Sequence, residues 1–406
     1  MKKVVVIGAG QAGASLVSKL RDGGFEGPIT LIGSEPHPPY QRPPLSKKYL
    51  LGEMALDRMY LRPESYYHEQ NIFLELGQSV DRIDCANKVI YFSEKKIRYD
   101  DLVLATGSSP RRLPEAIGGC LKKVFTMRDL ADADAMALEF VEGRHVLIIG
   151  GGYIGLEAAA VAATRGLQVT LVEMADRILN RVAAPQTSDY FRDLHKTHGV
   201  TIKEGIKLTR LNGDSNGDMV RSATLSDGTE FEIDFAIVGV GIVPATDLAK
   251  ASGLKITDGI KVNSLGQTSN SAIWAAGDCC AFPYRDSELR LESVPNAIDQ
   301  AEIVAQNILG AQIEYVPKPW FWSDQYDVKL QIAGLNTGFS DVITRKIPDQ
   351  KSVSFWYYND QKLIAVDAMN DPRAFMVAKR LLEAGKTVPR EAISDPQVNL
   401  KTLLPP

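Results

Sequence analysis

Cysteine is scarce in this chain, with four in 406 residues, at positions 85, 120, 279 and 280. None forms a Cys-x-x-Cys pair or a metal-ligand spacing, so the cysteines offer neither a zinc site nor a dithiol motif. The adjacent Cys279-Cys280 reads as two small buried residues, and such sparse usage fits a reducing cytoplasm. Long apolar runs are missing as well. No stretch approaches the roughly 18 residues of a membrane span, and the N-terminal run Val4 to Ile7 is too short for a signal peptide. Charge of one sign is also lacking: the formal net charge is −4, which argues against a general nucleic-acid binder. A hydrophobic content of 45% with 24% charged residues is that of a soluble globular protein. At roughly 150 residues per domain, the length implies two or three domains.

What is present begins at once. The apolar run Val4-Val5-Val6-Ile7 predicts a buried parallel strand, and Gly8-Ala9-Gly10-Gln11-Ala12-Gly13 follows it. Gly8 suits the tight turn, Gly10 lets backbone approach a pyrophosphate, and Gly13 allows close packing of helix on strand. The helix N-terminus then offers free N–H groups and a partial positive charge to phosphates. A second strand, Ile29 to Ile32, leads to Glu35, placed to hydrogen-bond a ribose. About 140 residues on, the plan repeats. The strand His145 to Ile149 runs into Gly150-Gly151-Gly152-Tyr153-Ile154-Gly155, then a helix from Leu156 to Thr164 and the strand Val169 to Val172, ending in Glu173. Two such fingerprints imply two dinucleotides. An acid at Glu173 repels a 2′-phosphate and so favours NADH over NADPH; Arg177, four residues on, is the cation that bears against that preference.

Between the fingerprints lies Pro36 to Lys47, where prolines bar a regular helix until about Leu45 and predict a stiff connection. It reads as a bland loop or as a segment that sets Arg42 and Lys47 beside a cofactor. Tyr99 to Gly107 predicts a strand and small-residue turn, and Ser108 to Pro114 a crossing linker. Farther on, Asp227-Gly228 predicts a hairpin turn before the strand Phe235 to Gly239, and Gly241 to Pro244 a second crossing. The strand Ile273 to Ala276 ends near Asp278, and a helix runs from Glu292 to about Leu309. The last 90 residues predict a small α+β domain: a tryptophan pair at 320 and 322 that is either core or cofactor-facing, a hairpin turning at Asn359-Asp360, and a helix from Asp371 to Ala384.

The segments GAGQAG at Gly8, YQRPPLSK at Tyr40, LATG at Leu104, GGGYIGLE at Gly150, AAGD at Ala275, ESVPNA at Glu292 and PWFWSDQ at Pro319 carry a resemblance over essentially the whole chain. It is similar to the two-dinucleotide flavoproteins related to glutathione reductase. More narrowly it resembles the NADH-dependent, FAD-containing ferredoxin reductases of bacterial oxygenase systems, the putidaredoxin reductase-like group. The disulfide reductases carry a redox-active cysteine pair early in the chain, whereas no cysteine precedes Cys85 here. The resemblance implies an α/β fold with an FAD-binding domain at 1–108 and 239–316, an inserted NADH-binding domain at 109–238, and a C-terminal α+β domain at 317–406. Gly8, Gly10, Ala12, Gly13 and Glu35 would hold FAD, bordered by Ala105, Thr106 and Gly107. Arg42 and Lys47 would lie along the flavin, Asp278 on the ribityl chain, and Val294 and Trp322 near the ring system. Gly150, Gly152, Tyr153, Ile154, Gly155 and Glu173 would bind NADH, and Glu157 would pair with Lys47. Family members commonly have asparagine where this chain has Ala245.

The implied function is a cytoplasmic ferredoxin reductase. It would move a hydride from NADH to FAD and pass electrons singly to a 2Fe–2S ferredoxin feeding a bacterial haem-thiolate mono-oxygenase or dioxygenase. It would hold no metal of its own and engage neither nucleic acid nor membrane. Alternatives are a rubredoxin reductase or NADH oxidase-type flavoenzyme, and a redox-sensing flavoprotein like apoptosis-inducing factor. Locally basic stretches at 41–62 and 108–128 stand out as a surface for an acidic partner.

Overall fold

The run Val4–Ile7 is fully buried, as a strand covered on both faces has to be. In the computed structural model, which describes residues 1–348 and 351–404, it is the middle strand of a five-stranded sheet. The order is Ile273–Ala275, Asp101–Leu104, Val4–Ile7, Ile29–Gly33 and Ile72–Leu76, all parallel. Alternation of side chains divides the core in two. Val4 and Val6 pack with Leu16 and Leu20 of helix Gln11–Asp22 and with Ala301 and Val304 of helix Val294–Ile308. Val5 and Ile7 face Phe92, Leu102, Cys279 and Cys280 on the other side. The late strand Ile273–Ala275 therefore completes the sheet that the N-terminus begins.

These elements belong to one compact unit, Met1–Arg42, Ala55–Ser109 and Ile242–Pro319. The second unit takes Pro43–Met54, Pro110–Gly241 and the chain from Trp320 onward. Its parallel sheet runs Thr201–Glu204, Gln168–Glu173, His145–Ile149, Phe235–Val238, Val124–Phe125. Val146 and Ile148 pack on helix Tyr153–Thr164, while Leu147 and Ile149 meet Leu211, Ala223 and Leu225 of a three-stranded antiparallel sheet. The Asp227-Gly228 turn lies in that sheet, with Gly228 at φ +82°. The proline-rich connection forms no α-helix, and Pro43–Ser46 makes a short 3-10 turn. Proline supplies the right φ there, and the first N–H groups of a helix need no internal partner.

The C-terminal sheet is antiparallel, in the order Trp320–Gln325, Val328–Gly334, Lys362–Met369, Val353–Asn359, Asp341–Lys346. Its hairpin turns at Asp360, in the left-handed region at φ +47°. Helix Pro372–Glu383 starts where the Asp371 carboxylate accepts the Ala374 N–H at 2.9 Å, and Gly385 follows its end at φ +63°. Phe375 and Leu381 cover Trp356, Tyr358 and Val366 on one face. On the other face Phe355, Tyr357 and Ala365 join the core of helix Tyr153–Thr164, so the C-terminal sheet and the second parallel sheet share one core.

One carboxylate sits in that shared core. Asp367 is fully buried and accepts hydrogen bonds from Thr187 Oγ1 at 2.6 Å and from the Tyr357 hydroxyl. Its other oxygen has no hydrogen-bond partner among the described residues. Burial pushes its pKa up to about 6, against the opposing pull of those two hydroxyls. An acid with a raised folded pKa favours the fold most when protonated. Its contribution is therefore lost as pH rises from the unfolded value near 4 through about 6, by roughly 3 kcal/mol at 1.36 per unit. Unfolding followed across pH 4 to 7 should show the difference between wild type and Asp367→Asn changing over that window. A constant difference would contradict the burial of a titrating acid.

Candidate dinucleotide and redox site

The two glycine-rich turns are built alike. Gly8 and Gly150 stand at φ +116° and +107°, and a Cβ on either would lie 2.0 Å from Ala105 O or 2.5 Å from Gly239 O. A Cβ on Gly13 would lie 2.0 Å from Gly8 O, and one on Gly155 2.1 Å from Gly150 O, so each third glycine lets its helix touch its own turn. The middle glycines differ in kind. Gly10 and Gly152 are the N-caps of their helices, make no side-chain cap, and have nothing within 4 Å of where a Cβ would stand. Neither helix has an acid in its first turn. Uncapped N–H groups, an unopposed helix dipole and open space at the middle glycine fit an anionic pyrophosphate at both places.

The acids after the second strands are held differently. Glu35 accepts from Arg42 Nη2 and from the Tyr40 hydroxyl, and Arg42 Nη1 donates to that hydroxyl at 3.1 Å. The structure thus brings Arg42 to Glu35, with Tyr40, the first residue of the YQRPPLSK segment, as a further partner. Among the described residues Glu173 takes only backbone donors, the Gly151 N–H and the Ala175 N–H, each at 2.7 Å. Arg177 turns away from it, donating to Ser188 Oγ at 2.5 Å and to the carbonyl of Ala183 at 2.8 Å.

The turn Ala105-Thr106-Gly107 is fixed by backbone and hydroxyl bonds. Thr106 Oγ1 donates to Ala245 O at 2.7 Å, and Ala245 N–H to Gly107 O at 2.9 Å. Ala245 works through its backbone, so a methyl group suffices at that crossing. Asp278 accepts from Ser108 Oγ at 3.1 Å. Ala12 is buried beside Gly277, whose Cβ would stand 3.2 Å from Ala12 Cβ. Val294 opens its helix, half-buried, after Ser293 caps the Asn296 N–H at 3.2 Å.

In the second unit a buried ion pair joins the 3-10 turn to the second fingerprint helix. Lys47 Nζ lies 2.7 Å from Glu157 Oε2, with side chains 17% and 6% exposed. Two serines complete the carboxylate's shell: Ser46 Oγ donates to Oε2 at 3.0 Å and Ser323 Oγ to Oε1 at 2.7 Å. Strand alternation explains the second donor. Phe321 and Ser323 share one face of strand Trp320–Gln325 and meet Tyr153 and Glu157, one turn apart on their helix. Tyr153 packs its ring 4.9 Å from Phe321 with its hydroxyl buried, and Ile154 beside it is exposed. Trp320 and Trp322 occupy the opposite face and stack at 5.5 Å. Neither Ser46 nor Ser323 was legible beforehand, although both stand beside residues that the resemblance marks.

All four cysteines are free, and burial pushes the Cys279 and Cys280 thiols up, away from the thiolate. They donate to nearby oxygens, Cys279 to Leu104 O at 3.5 Å and Cys280 to Gln300 Oε1 at 3.2 Å. Among the described residues, no cluster of three histidine, cysteine or acidic side chains is arranged to hold a metal ion, and no helix is long and apolar enough to cross a membrane.

Two parallel sheets, each opening on a glycine turn with an uncapped helix, define a two-dinucleotide oxidoreductase, and the chain belongs to that class by sequence. The pyridine nucleotide-disulphide oxidoreductase family matches residues 2–301 and the reductase C-terminal family residues 320–404. It is therefore a member of the pyridine nucleotide-disulphide oxidoreductases, which use FAD and NAD(P)H. A ferredoxin–NAD(P)+ reductase of a Sphingomonas species is 41% identical, over 99% of this chain and 98% of the relative. Putidaredoxin reductase of Pseudomonas putida is 37% identical, over 99% of this chain and 96% of that one. The covalent complex of putidaredoxin reductase with putidaredoxin contains a chain that superposes at a TM-score of 0.96, covering 99% of this chain and 98% of that one at 37% identity.

The middle and last glycines should separate binding from folding. Gly152→Ala places its methyl in open space at φ −81°, so stability should stay within about 0.5 kcal/mol. Its affinity for NADH should fall on the order of tenfold, read by calorimetric titration. Gly155→Ala meets a carbonyl oxygen at 2.1 Å and should lose about 1–3 kcal/mol of stability. Equal stability losses in the two variants would contradict the assigned roles.

Proposed function

We propose that this chain is an NADH-dependent ferredoxin reductase that delivers electrons to a 2Fe–2S ferredoxin supplying a bacterial oxygenase. FAD and NADH, when bound, supply hydride transfer followed by release of electrons one at a time. The observation that carries the reading is the buried Lys47–Glu157 pair in a chain whose cysteines offer no dithiol to receive electrons. Gly8, Gly10, Ala12, Gly13 and Glu35 would hold FAD with Ala105, Thr106, Gly107, Arg42, Asp278, Val294 and Trp322. Gly150, Gly152, Tyr153, Ile154, Gly155 and Glu173 would hold NADH. Residues 1–108 and 239–316 serve FAD, 109–238 serve NADH, and 317–406 form the C-terminal domain.

The chain's own contributions follow from its geometry. Glu173, fixed by two backbone N–H groups with Arg177 committed elsewhere, presents an uncompensated carboxylate that repels a 2′-phosphate. Lys47 donates to Glu157 and to Pro43 O at 3.4 Å, so one of its three N–H protons remains for a ligand. Glu157 fixes that ammonium in place rather than leaving it a mobile surface charge. Lys48, Arg58, Arg111 and Arg112 are exposed cations suited to an acidic partner. Lys122 and Lys123 are paired with Asp218 and Glu139, which lowers the positive charge of the second basic stretch. We place the protein in the cytoplasm, where its thiols stay reduced.

Removing one member of a buried pair strands the other, at about 3–5 kcal/mol. Lys47→Ala and Glu157→Ala should each retain FAD, lose stability of that order and reduce flavin with NADH more slowly in stopped flow. Flavin reduction at the wild-type rate in both would remove the pair from the mechanism.

A further inference from the structure

The donors around Glu157 continue into the protein as a single chain. Ser323 Oγ donates to Glu157 Oε1 at 2.7 Å and accepts from Gln325 Nε2 at 3.2 Å. Gln325 Oε1 lies 2.8 Å from His195 Nε2, and His195 Nδ1 lies 3.2 Å from the Tyr326 hydroxyl. Ser323, Gln325 and His195 are completely buried. Tyr326 stacks on His198 with ring centroids 3.7 Å apart, and His198 is exposed, so the chain ends near the surface.

We propose that His195, Gln325 and Ser323 act as positioning residues, a hydrogen-bonded relay of fixed polarity that holds the Glu157 carboxylate toward Lys47. The proposal rests on the reading of Glu157 as the partner of the cofactor-side lysine. Its logic is a count of protons. A carboxylate can only accept, so the one proton of Ser323 is directed at Glu157. Ser323 oxygen must then accept, which turns the amide nitrogen of Gln325 toward it and the amide oxygen toward His195. That oxygen also only accepts, so His195 carries its proton on Nε2 and leaves Nδ1 to accept from Tyr326. Each assignment forces the next, over four side chains that come from helix Tyr153–Thr164, strand Trp320–Gln325 and helix Pro185–Thr197. Burial lowers the His195 pKa to about 4, which keeps the ring neutral and the polarity single at neutral pH. Side chains that merely fill a core would show no such coupling, because no distant charge would decide a tautomer.

The test reads that coupling by ¹⁵N NMR of the histidine rings in the full-length, FAD-loaded protein. Wild type should show His195 protonated at Nε2. In Glu157→Gln the new amide can donate to Ser323, whose hydroxyl then turns to Gln325. The Gln325 amide reverses in response and His195 moves its proton to Nδ1. Adding Ser323→Ala should abolish any dependence of His195 on residue 157. An unchanged tautomer in Glu157→Gln overturns the relay. Should that variant not fold, Ser323→Ala alone must lose the Nε2 preference, and retention of it has the same force. A kinetic arm uses Gln325→Leu, remote from the cofactor groups, which should slow flavin reduction by NADH on the order of tenfold with KM for NADH unchanged. A wild-type rate in Gln325→Leu while Lys47→Ala is slow removes the relay from catalysis. Wild-type rates in both remove Glu157 itself, whatever the tautomer shows.

Discussion

A buried carboxylate needs donors, and Glu157 organises the second unit by needing three. It draws Lys47 and Ser46 from the 3-10 turn and Ser323 from the C-terminal sheet. The desolvation of such a pair is offset only when the remaining lone pairs are also satisfied, which the two serines accomplish. This one requirement ties an early proline-rich segment, the helix Tyr153–Thr164 and the C-terminal sheet to a common point. It also accounts for Pro43–Met54 grouping with residues that lie more than a hundred positions later.

The two glycine turns share one backbone solution and differ in the acids that follow them. Their glycines do the same three tasks, with nearly the same φ at the first and the same close approach at the third. The acids do not. Glu35 accepts from a guanidinium and a phenol, whereas Glu173 accepts from two backbone N–H groups. The thiols are a parallel case: in a family named for disulphides, burial has made Cys279 and Cys280 structural donors.

Much of the fold was legible because its signals are local. The strand Val4–Ile7, the strand His145–Ile149 and the cap at Asp371 announce themselves within a few residues. The stiff connection expected of Pro36 to Lys47 holds only a short 3-10 turn at Pro43–Ser46, because proline bars helix interiors but suits a first turn. Of the candidate site, the Lys47–Glu157 pairing that the resemblance implied is present at 2.7 Å, and the motif glycines stand in the tight turns their spacing implies. Arg42 on Glu35, Arg177 on Ser188, and Ser46 and Ser323 on Glu157 are side-chain choices settled by packing. The Ser323 contact spans 166 positions, and no periodicity encodes it. Gln325 ends the PWFWSDQ segment without a role assigned to it, and His195 carried no sequence signal, because a buried neutral histidine looks like any other helix residue.

In the proposed function, electrons leave the protein without a thiol intermediary. An anaerobic single-turnover experiment addresses this directly: FAD-loaded protein with all four cysteines replaced by alanine is mixed with one equivalent of NADH and excess oxidised 2Fe–2S ferredoxin. The prediction is two ferredoxins reduced per NADH, at a rate matching the unsubstituted protein. Ferredoxin left oxidised by the unsubstituted protein, or reduced only when the cysteines are present, would contradict it.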